Sequence, residues 1–415
     1  MLRNSTRRGR PAAGAAGRPR VTMSGHHTPD PVWTARRRAL DQHIRPTRAE
    51  IDLGALEQNY LSLRQWAPGL EVLAMVKANA YGHGATAVAH RLEEAGVRLL
   101  GVALVEEGME LRNAGVRAPV LVMGGSYQGG YEAMVERDLT ATVFREDHID
   151  ALAAAARRAG KTVAAHLKVD TGMGRLGASM EELPRVLDRL RRHPEIRLEG
   201  LASHLASADV EGSPQTRAQL ERWEVARKRV EEAGFRPALR HLSNSSALLG
   251  LPEGRGGGAF NLARPGLALY GLAPAPWLEG RARLSPVLSW KTGIIHLKEV
   301  PAGATVSYGA TWTAERPSRI ATLPVGYADG YWRAYSNRAS VLVRGLRAPV
   351  VGRVCMDMCM VDVTDVRDAA VGDEVVLIGR QGGESISASE LAKLAGTIHY
   401  EVLCGVGARV PRVAV

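Results

Sequence analysis

The residue with the clearest chemical potential in this sequence is Lys77, which ends an apolar run of strand length, Val72–Val76. A turn of small residues follows it and contains Asn79, Tyr81 and His83. An amine held among apolar neighbours at the carboxyl end of a strand loses solvation of its charged form and becomes a better nucleophile and base. Lys77 is therefore a candidate Schiff-base lysine. The alternative is a lysine that ends a strand and extends its ammonium group into water.

A second polar cluster lies on the strand-like run Val163–Asp170, where ionisable residues alternate with apolar ones. Alternation along a strand places His166, Lys168 and Asp170 on one side. In a barrel this side faces the lumen, and a glycine-rich loop then presents Arg175 to the same place. The cluster predicts the floor of a site, and the same pattern also suits an edge strand with one solvated face.

Further candidates follow later strand-like runs, where the carboxyl ends of parallel strands would meet. They are His204, Asn244–Ser245 and Arg264–Gly266, and then, in the last third of the chain, Tyr308, Tyr327 and Met356–Asp357. Taken one at a time, such residues are more often a hydrogen-bonded histidine, a helix cap or a turn tyrosine. Only their combination points to a shared site.

Alternating helix and strand periodicities begin near residue 50 and would position these residues. After the run that ends at Lys77, the predicted strands are Leu99–Leu104, Pro119–Gly124, Ala141–Phe144, Val163–Asp170, Leu198–His204, Leu239–Asn244 and Leu262–Gly271. Helical patterns lie between most of them. Eight such units before residue 272 favour a (β/α)₈ barrel, and a doubly wound open sheet is the alternative.

After Gly271 the pattern changes to short Val-, Ile- and Thr-rich runs separated by Gly and Pro. The predicted strands are Ile294–Val300, Ile320–Val325, Ser340–Val343, Val350–Val354, Met358–Val363 and Glu374–Ile378. One helix is expected near the end, with Ser387 as its cap and Glu390 at the third position. The predicted fold class is α/β, with a disordered basic leader over 1–48, a TIM-like barrel over 49–283 and a β-rich domain over 284–415.

Composition narrows the function classes. The formal charge of the 415 residues is +11, but residues 1–48 hold eleven Arg and two Asp, so the remainder carries only +2. A nucleic-acid partner is therefore not expected, and the leader itself is expected to be dispensable, with Met23 as an alternative start. No apolar run is long enough to span a membrane. The three cysteines, Cys355, Cys359 and Cys404, fit a reducing cytoplasm, and Cys355 and Cys359 are interpreted as packing residues, so no metal site is expected.

As strings, several of these segments resemble the alanine racemases, a family of fold-type III pyridoxal-phosphate enzymes. The segments are VKANAYGHG, KVDTGMGR, HLSNSSA, RPGLALYG, VSYGA, PVGYADG, GRVCMDMCM and YEVLC. The resemblance covers residues 49–415. It implies a cytoplasmic homodimer that interconverts L-alanine and D-alanine with pyridoxal 5'-phosphate, supplying D-alanine for peptidoglycan, with each active site shared between two subunits.

The resemblance also implies a role for each site residue. Lys77 carries the cofactor and serves the D-face proton of the substrate, and Tyr308 of the other subunit is the second base and serves the L-face proton. Arg175 contacts the phenolic oxygen of the cofactor and the substrate carboxylate, supported by Lys168, which is often carbamylated in the family. The remaining cofactor contacts are Tyr81, His204, Asn244, Ser245, Arg264, Gly266, Leu267 and Tyr400. Tyr327 and Met356 line the substrate entrance, and Asp357 stands behind Tyr308.

Arg264 helps to distinguish a racemase from other pyridoxal-phosphate proteins of similar architecture. By resemblance it faces the pyridine nitrogen of the cofactor, and a guanidinium keeps its proton, so that nitrogen must accept a hydrogen bond and the ring becomes a weaker electron sink. A basic amino-acid decarboxylase of the same architecture is disfavoured by Arg264 and by the absence of a glycine-rich phosphate loop. A non-enzymatic pyridoxal-phosphate carrier is disfavoured by the β-rich domain. A racemase acting on serine or other small amino acids stays open.

Overall fold

The computed structural model describes residues 44–126, 129–255 and 259–415, and Arg45–Val415 form one compact unit. Most of the predicted basic leader, residues 1–43, lies outside the described residues. Its last residues do not fit the prediction of disorder. Thr47 is fully buried and its hydroxyl donates to the carbonyl of Pro324 over 2.8 Å, and Arg45 pairs with the buried carboxylate of Asp329 over 2.9 Å. The prediction of disorder is therefore wrong for these residues. It was based on local charge and composition, which carry no information about binding partners far along the chain.

The first elements after the leader are β1 (Arg48–Ile51) and α1 (Leu53–Trp66). The side chain of Asp52 caps α1 by accepting a hydrogen bond from the amide of Ala55 over 2.8 Å. Its apolar stripe, which includes Leu56, Tyr60 and Leu63, is buried. This is the leading helix that the spacing predicted.

Eight parallel strands then form one sheet in the order β8-β7-β6-β5-β4-β3-β2-β9. They are β2 (Glu71–Met75), β3 (Leu99–Val102), β4 (Val120–Val122), β5 (Leu139–Val143), β6 (Val163–Lys168), β7 (Ile196–Ala202), β8 (Leu239–His241) and β9 (Leu262–Ala263). A parallel bridge between Asn244 and Arg264 joins the segments that follow β8 and β9, which brings the two ends of the sheet together as a TIM-like barrel. The barrel prediction is confirmed.

The helices around this sheet are α2 (Ala85–Glu94), α3 (Val105–Asn113), α4 (Gly130–Glu136), α5 (Glu146–Ala159), α6 (Leu183–Arg191), α7 (Pro214–Glu232) and α8 (Ser245–Gly250). The sequence reading missed α4 and α8, which are too short for a clear helical period. It also predicted one strand over Leu262–Gly271, and this is wrong beyond Ala263. Pro265 cannot donate to a strand ladder, and the chain turns into a short 3₁₀ helix, Leu267–Tyr270.

The remaining strands form three β-sheets. They are β10 (Leu288–Gly293), β11 (His296–Val300), β12 (Thr305–Val306), β13 (Trp312–Thr313), β14 (Ser318–Leu323), β15 (Ser340–Val343), β16 (Leu346–Pro349), β17 (Cys359–Asp362), β18 (Glu374–Gln381), β19 (Glu384–Ile386) and β20 (Arg412–Ala414). The largest sheet has the order β16-β15-β18-β10-β1-β20 with β19 beside β18, and β11-β14-β17 and β12-β13 form the other two. The prediction of a β-rich region that follows the barrel is confirmed.

Strand β1 belongs to this largest sheet although it comes from the amino-terminal end of the chain. It is antiparallel to β10, with Ala49 opposite Trp290, and parallel to β20. The predicted domain boundary, which placed residues 49–51 in the barrel, is therefore wrong at its start. Strand pairing over such a sequence distance leaves no trace in the local pattern.

Two helices, α9 (Ala388–Ala395) and α10 (His399–Cys404), lie between β19 and β20. Ser387 caps α9 by accepting from the amide of Glu390 over 3.0 Å, as predicted. Helix α10 was not predicted. The predicted strand Val350–Val354 is also wrong, since it contributes a single bridge from Val350 to β17 and then turns at Gly352, where φ is +73°.

Candidate active site

Lys77 lies just beyond the carboxyl end of β2, as the apolar run predicted. Burial lowers the pKa of its amine, and the nearby Arg175 guanidinium lowers it further. Its Nζ atom lies 6.0 Å from the ring centroid of Tyr81. A partly desolvated amine of this kind has more of the neutral form that attacks a carbonyl group or accepts a proton.

A cavity of about 330 Å³ opens at the carboxyl ends of the barrel strands and contains Lys77. The predicted residues that line it are Lys77, Tyr81, Lys168, Arg175, His204, Asn244, Ser245, Arg264, Gly266, Leu267 and Tyr400. Five further lining residues, Met75, Ala103, Met123, Gly124 and Leu176, were missed. Ala103, Met123 and Gly124 directly follow β3 and β4, so the rule that strand ends carry the site could have identified them.

One corner of the cavity gathers hydroxyl groups and backbone amides around Ser245. Its Oγ atom accepts from the amides of Gly266 over 3.0 Å and Ala268 over 3.3 Å. A Cβ atom at residue 266 would lie 2.1 Å from the Tyr81 hydroxyl, so only glycine fits beside that phenol. Burial raises the pKa of Tyr81 and raises that of Tyr400 to about 12, so both phenols stay neutral donors. Such a group of donors suits a small anion.

Arg264 is buried at the far side of the cavity. Its Nη2 atom donates to the Ser203 carbonyl over 2.8 Å and to Nδ1 of His204 over 3.0 Å. Its Nη1 atom donates to Nδ1 of His241 over 3.0 Å, and Nε2 of His241 lies 2.7 Å from Nδ1 of His166. Burial and then the Arg264 charge hold the pKa of both His204 and His241 far below the usual value. These imidazoles are therefore neutral acceptors that fix the guanidinium.

Lys168 lies on β6 with its side chain inside the barrel, only 5% exposed. Burial, followed by the charges of Arg264 and Arg175, lowers the pKa of its amine to about 8. His166 and Lys168 therefore both occupy the interior that strand alternation predicted. Asp170 does not line the cavity, and its carboxylate instead accepts from the amides of three consecutive loop residues, Gly172, Met173 and Gly174. It shapes the loop that presents Arg175.

Four of the predicted site residues lie elsewhere in the described chain and do not line this cavity. Tyr308 is 72% exposed, in a 3₁₀ turn, and Tyr327 and Met356 are also exposed. Asp357 pairs with Arg409 over 2.8 Å. The segments of Tyr327 and Met356 are joined by two backbone hydrogen bonds of 3.0 Å. We refer to Tyr308, Tyr327, Met356 and Asp357 as the exposed cluster.

Comparison with family models decides what this arrangement belongs to. Residues 51–274 match the alanine racemase N-terminal domain, and residues 287–414 match the alanine racemase C-terminal domain. The chain belongs to the alanine racemase family. Family membership makes it an isomerase, as the sequence resemblance predicted.

Individual alanine racemases are similar over most of the chain. Those of Symbiobacterium thermophilum and Sorangium cellulosum are 49% and 46% identical, and each alignment covers 89% of this chain with 97% and 99% of the relative. The solved alanine racemase of Streptomyces lavendulae is 37% identical with a TM-score of 0.84, covering 89% of this chain and 97% of that one. The Bartonella henselae alanine racemase, at 29% identity and a TM-score of 0.78 over 89% and 99% of the two chains, carries covalently bound pyridoxal phosphate.

Within residues 44–126, 129–255 and 259–415, no group of three His, Cys, Asp or Glu side chains is placed to hold a metal ion. Within the same ranges, the helices are all too short or too polar to cross a bilayer.

Proposed function

We propose that this chain interconverts L-alanine and D-alanine with pyridoxal 5'-phosphate bound through Lys77. The observation that carries the proposal is the cavity itself, which places a desolvated lysine, a neutral hydroxyl and amide corner, and a buried guanidinium within one volume of about 330 Å³. No residue pattern along the chain could establish that these three chemistries share a space.

The donor set fits this cofactor at each of its polar groups. The hydroxyl and amide corner of Tyr81, Ser245, Gly266, Leu267 and Tyr400 suits a phosphate. The Lys77 amine suits the aldehyde, and the Arg264 guanidinium suits a ring nitrogen that accepts a hydrogen bond. His204, which accepts a hydrogen bond from Arg264, and Asn244 also line the cavity and would help to hold the cofactor. When bound, the cofactor supplies an aromatic ring that delocalises electron density from the substrate Cα.

Arg264 sets how strongly that density is withdrawn. The neutral imidazoles of His204 and His241 and the carbonyl of Ser203 hold its guanidinium in place, and it retains its proton at working pH. A ring nitrogen held by this guanidinium would stay unprotonated, so the cofactor would withdraw electron density only weakly. Weak withdrawal favours returning the proton to Cα, which is the outcome that a racemase needs.

Two bases act on opposite faces of the substrate Cα in this proposal. Lys77 removes or delivers the proton on the D-face, and Tyr308 of the partner subunit does so on the L-face. Arg175, supported by Lys168, holds the substrate carboxylate. The exposure of Tyr308 supports a homodimer, because a base that is 72% exposed and outside the Lys77 cavity needs another surface to complete its site.

The rest of the exposed cluster would border the substrate entrance. Tyr327 and Met356 are held to one another through the backbone, so they would narrow the entrance as one unit. Asp357, which pairs with Arg409, would contribute to the surface behind Tyr308. We further propose that the enzyme works in the cytoplasm and that its D-alanine is used for peptidoglycan.

The test of the activity incubates purified protein and pyridoxal phosphate with L-alanine and measures optical rotation and released CO₂. The expected result is a decay of rotation to zero without CO₂. Release of CO₂ would indicate a decarboxylase, and an unchanged solution would contradict the proposed racemase activity. Repeating the assay with L-serine measures how strictly the small pocket excludes one added hydroxyl.

A further inference from the structure

The backbone directly after Lys77 adopts a conformation that side chains disfavour. Ala78, Asn79, Ala80 and Tyr81 are consecutive non-glycine residues with φ between +52° and +53°. They form one left-handed helical turn, which brings each Cβ atom too close to the following carbonyl oxygen. Such a turn costs free energy at each residue and persists only where surrounding contacts hold it.

This left-handed turn connects the two ends of the proposed cofactor site. Lys77 comes immediately before it and Tyr81 is its last residue, and both side chains line the cavity. The turn therefore sets the distance between the amine and the hydroxyl corner. Gly82 then leaves the turn at φ +84°, where a Cβ atom would lie 2.2 Å from the carbonyl oxygen of Leu403.

The carboxylate of Glu107, on α3, bridges the left-handed turn to the barrel. Its Oε1 atom accepts from the amide of Ala78 over 2.6 Å. Its Oε2 atom accepts from the amides of Ala103 over 2.7 Å and Leu104 over 3.0 Å, just after β3. One side chain thus ties the first left-handed residue to the end of the neighbouring strand. Charge-assisted bonds of this length are among the stronger ones in proteins.

Two further contacts hold the far end of the turn. The side-chain oxygen of Asn79 accepts from the amide of Ala85, the first residue of α2, over 2.7 Å. Nδ1 of His83 donates to the carbonyls of Ala80 and Tyr81 over 3.0 Å. These contacts account for Asn79 and His83, neither of which touches the cavity. Glu107 contributes the contact closest to Lys77.

We propose that Glu107 is a positioning residue for the cofactor lysine: by bridging the left-handed turn to the end of β3, it holds Lys77 and the hydroxyl corner at the separation that covalent cofactor binding requires. The inference rests on the proposed function of Lys77. Glu107 does not line the cavity, so it acts through the turn rather than on the substrate.

Two substitutions separate bridging from charge. Glu107→Gln keeps the length of the side chain but replaces one acceptor oxygen by an NH₂ donor, which opposes an amide donor. Glu107→Asp keeps the charge at the start of α3 but is one methylene too short to reach both segments. The matched control is Glu106→Gln, because Glu106 is the exposed neighbour on the same helix.

A rescue variant tests the strain directly. Glycine adopts positive φ without a Cβ penalty, and Ala78 is exposed, so Ala78→Gly leaves no internal void. If Glu107 acts by holding a strained turn, Ala78→Gly should restore part of what Glu107→Gln loses. A residue that merely capped α3 would gain nothing from that change.

The experiment measures the affinity for pyridoxal phosphate by visible absorption and identifies the lysine labelled after borohydride reduction by mass spectrometry. It also measures kcat and KM of the holoenzyme, and the melting temperature serves as the reference for folding. Glu107→Gln and Glu107→Asp should both bind the cofactor about tenfold more weakly and lose kcat, since displacement of a reacting group is costly. Glu106→Gln should have the cofactor affinity and kcat of the parent. The double variant Ala78→Gly with Glu107→Gln should recover part of the cofactor affinity that Glu107→Gln loses. If the Gln variant does not fold, Glu107→Asp with and without Ala78→Gly gives the same comparison.

Three results would overturn the inference. The first is a Glu107→Gln variant that keeps the cofactor affinity and lysine labelling of the parent. The second is a loss of cofactor affinity in Glu107→Gln but not in Glu107→Asp, which would assign the effect to charge alone. The third is a lowered melting temperature with unchanged cofactor affinity in both variants, which would mean that Glu107 only caps its helix. Borohydride labelling of a lysine other than Lys77 in the parent would overturn the assignment of Lys77 itself, so that failure is distinguishable from the others.

Discussion

The cavity in the barrel and the exposed cluster in the second half of the chain are built in opposite ways. In the cavity, Arg264 is 3% exposed and Lys168 is 5% exposed, and the guanidinium is fixed by hydrogen bonds to neutral histidines. In the exposed cluster, Tyr308 is 72% exposed and Met356 is 53% exposed. The residues that line the first region come from widely separated parts of this chain. The second presents a phenol and a thioether side chain at the surface, outside the Lys77 cavity.

This difference indicates how a site can be divided between subunits. Burial perturbs pKa values and fixes orientation, so the groups that must be preorganised are placed where the fold excludes water. A group that approaches from another subunit must instead remain at the surface until the subunits meet. The contrast leads to four predictions, which begin with the largest expected effect.

The strongest test of the contrast mixes two inactive variants. Lys77→Ala and Tyr308→Ala should each lower kcat by about a thousandfold or more, since each removes one base. If the site is shared, subunit exchange in an equal mixture should restore about one quarter of parental activity, because half the dimers are mixed and each mixed dimer has one complete site. Absence of recovery despite demonstrated exchange would mean that each chain supplies both bases. Mixing without exchange is the control.

Substitution of the buried guanidinium should have the next largest effect. Arg264→Lys keeps a positive charge but cannot donate simultaneously to Ser203, His204 and His241, so we expect kcat to fall by about a hundredfold or more. Arg98→Lys is a matched control, because Arg98 is exposed and pairs with Glu71 over 3.1 Å at the surface. An Arg264→Lys rate within about threefold of the parent would show that a point charge suffices there.

The barrel side should also become less stable in acid. Burial lowers the pKa of His83 from 6.5 to about 4, so between these values the unfolded chain binds a proton that the folded chain does not. Stability therefore falls as the pH decreases through this window, and His83 alone accounts for about 3 kcal/mol. Urea unfolding at pH 7 and pH 4 should show a smaller loss in His83→Asn than in the parent. Equal losses in both proteins would contradict this origin.

The smallest effects concern the segment before the barrel. Arg45→Ala should lower the free energy of unfolding by about 2 kcal/mol, because it removes a partner from the fully buried Asp329 carboxylate beside Tyr327. Arg48→Ala removes ion pairs that are only partly buried and remain in contact with solvent, so it should cost about 0.5 kcal/mol. A chain that begins at Ile44 should retain both stability and activity, and loss of either on that truncation would show that the basic leader contributes to folding or catalysis.

Local sequence patterns predicted many of the strands and helices, because strand length, helix period and capping depend on residues that are close together in the chain. Apolar runs of strand length placed β2 to β8 correctly to within a few residues, and the cap at Ser387 was visible as a serine three residues before a glutamate. The same reasoning failed for β9, where Pro265 ends the ladder, and for α8, which is six residues long. It could not detect that β1 pairs with β10 and β20, since no local signal marks a partner so far along the chain.

The sequence by itself determined that a lysine follows a buried strand, that polar residues alternate along β6, and that this chain resembles one enzyme family. The tertiary structure alone decided which of those residues share a cavity, that Asp170 supports a loop, and that Tyr308 lies outside the cavity. It alone revealed the left-handed turn held by Glu107. The physical reason is that residue types and short spacings encode local preferences, whereas burial, pKa shifts and strain depend on neighbours that only the folded chain brings together.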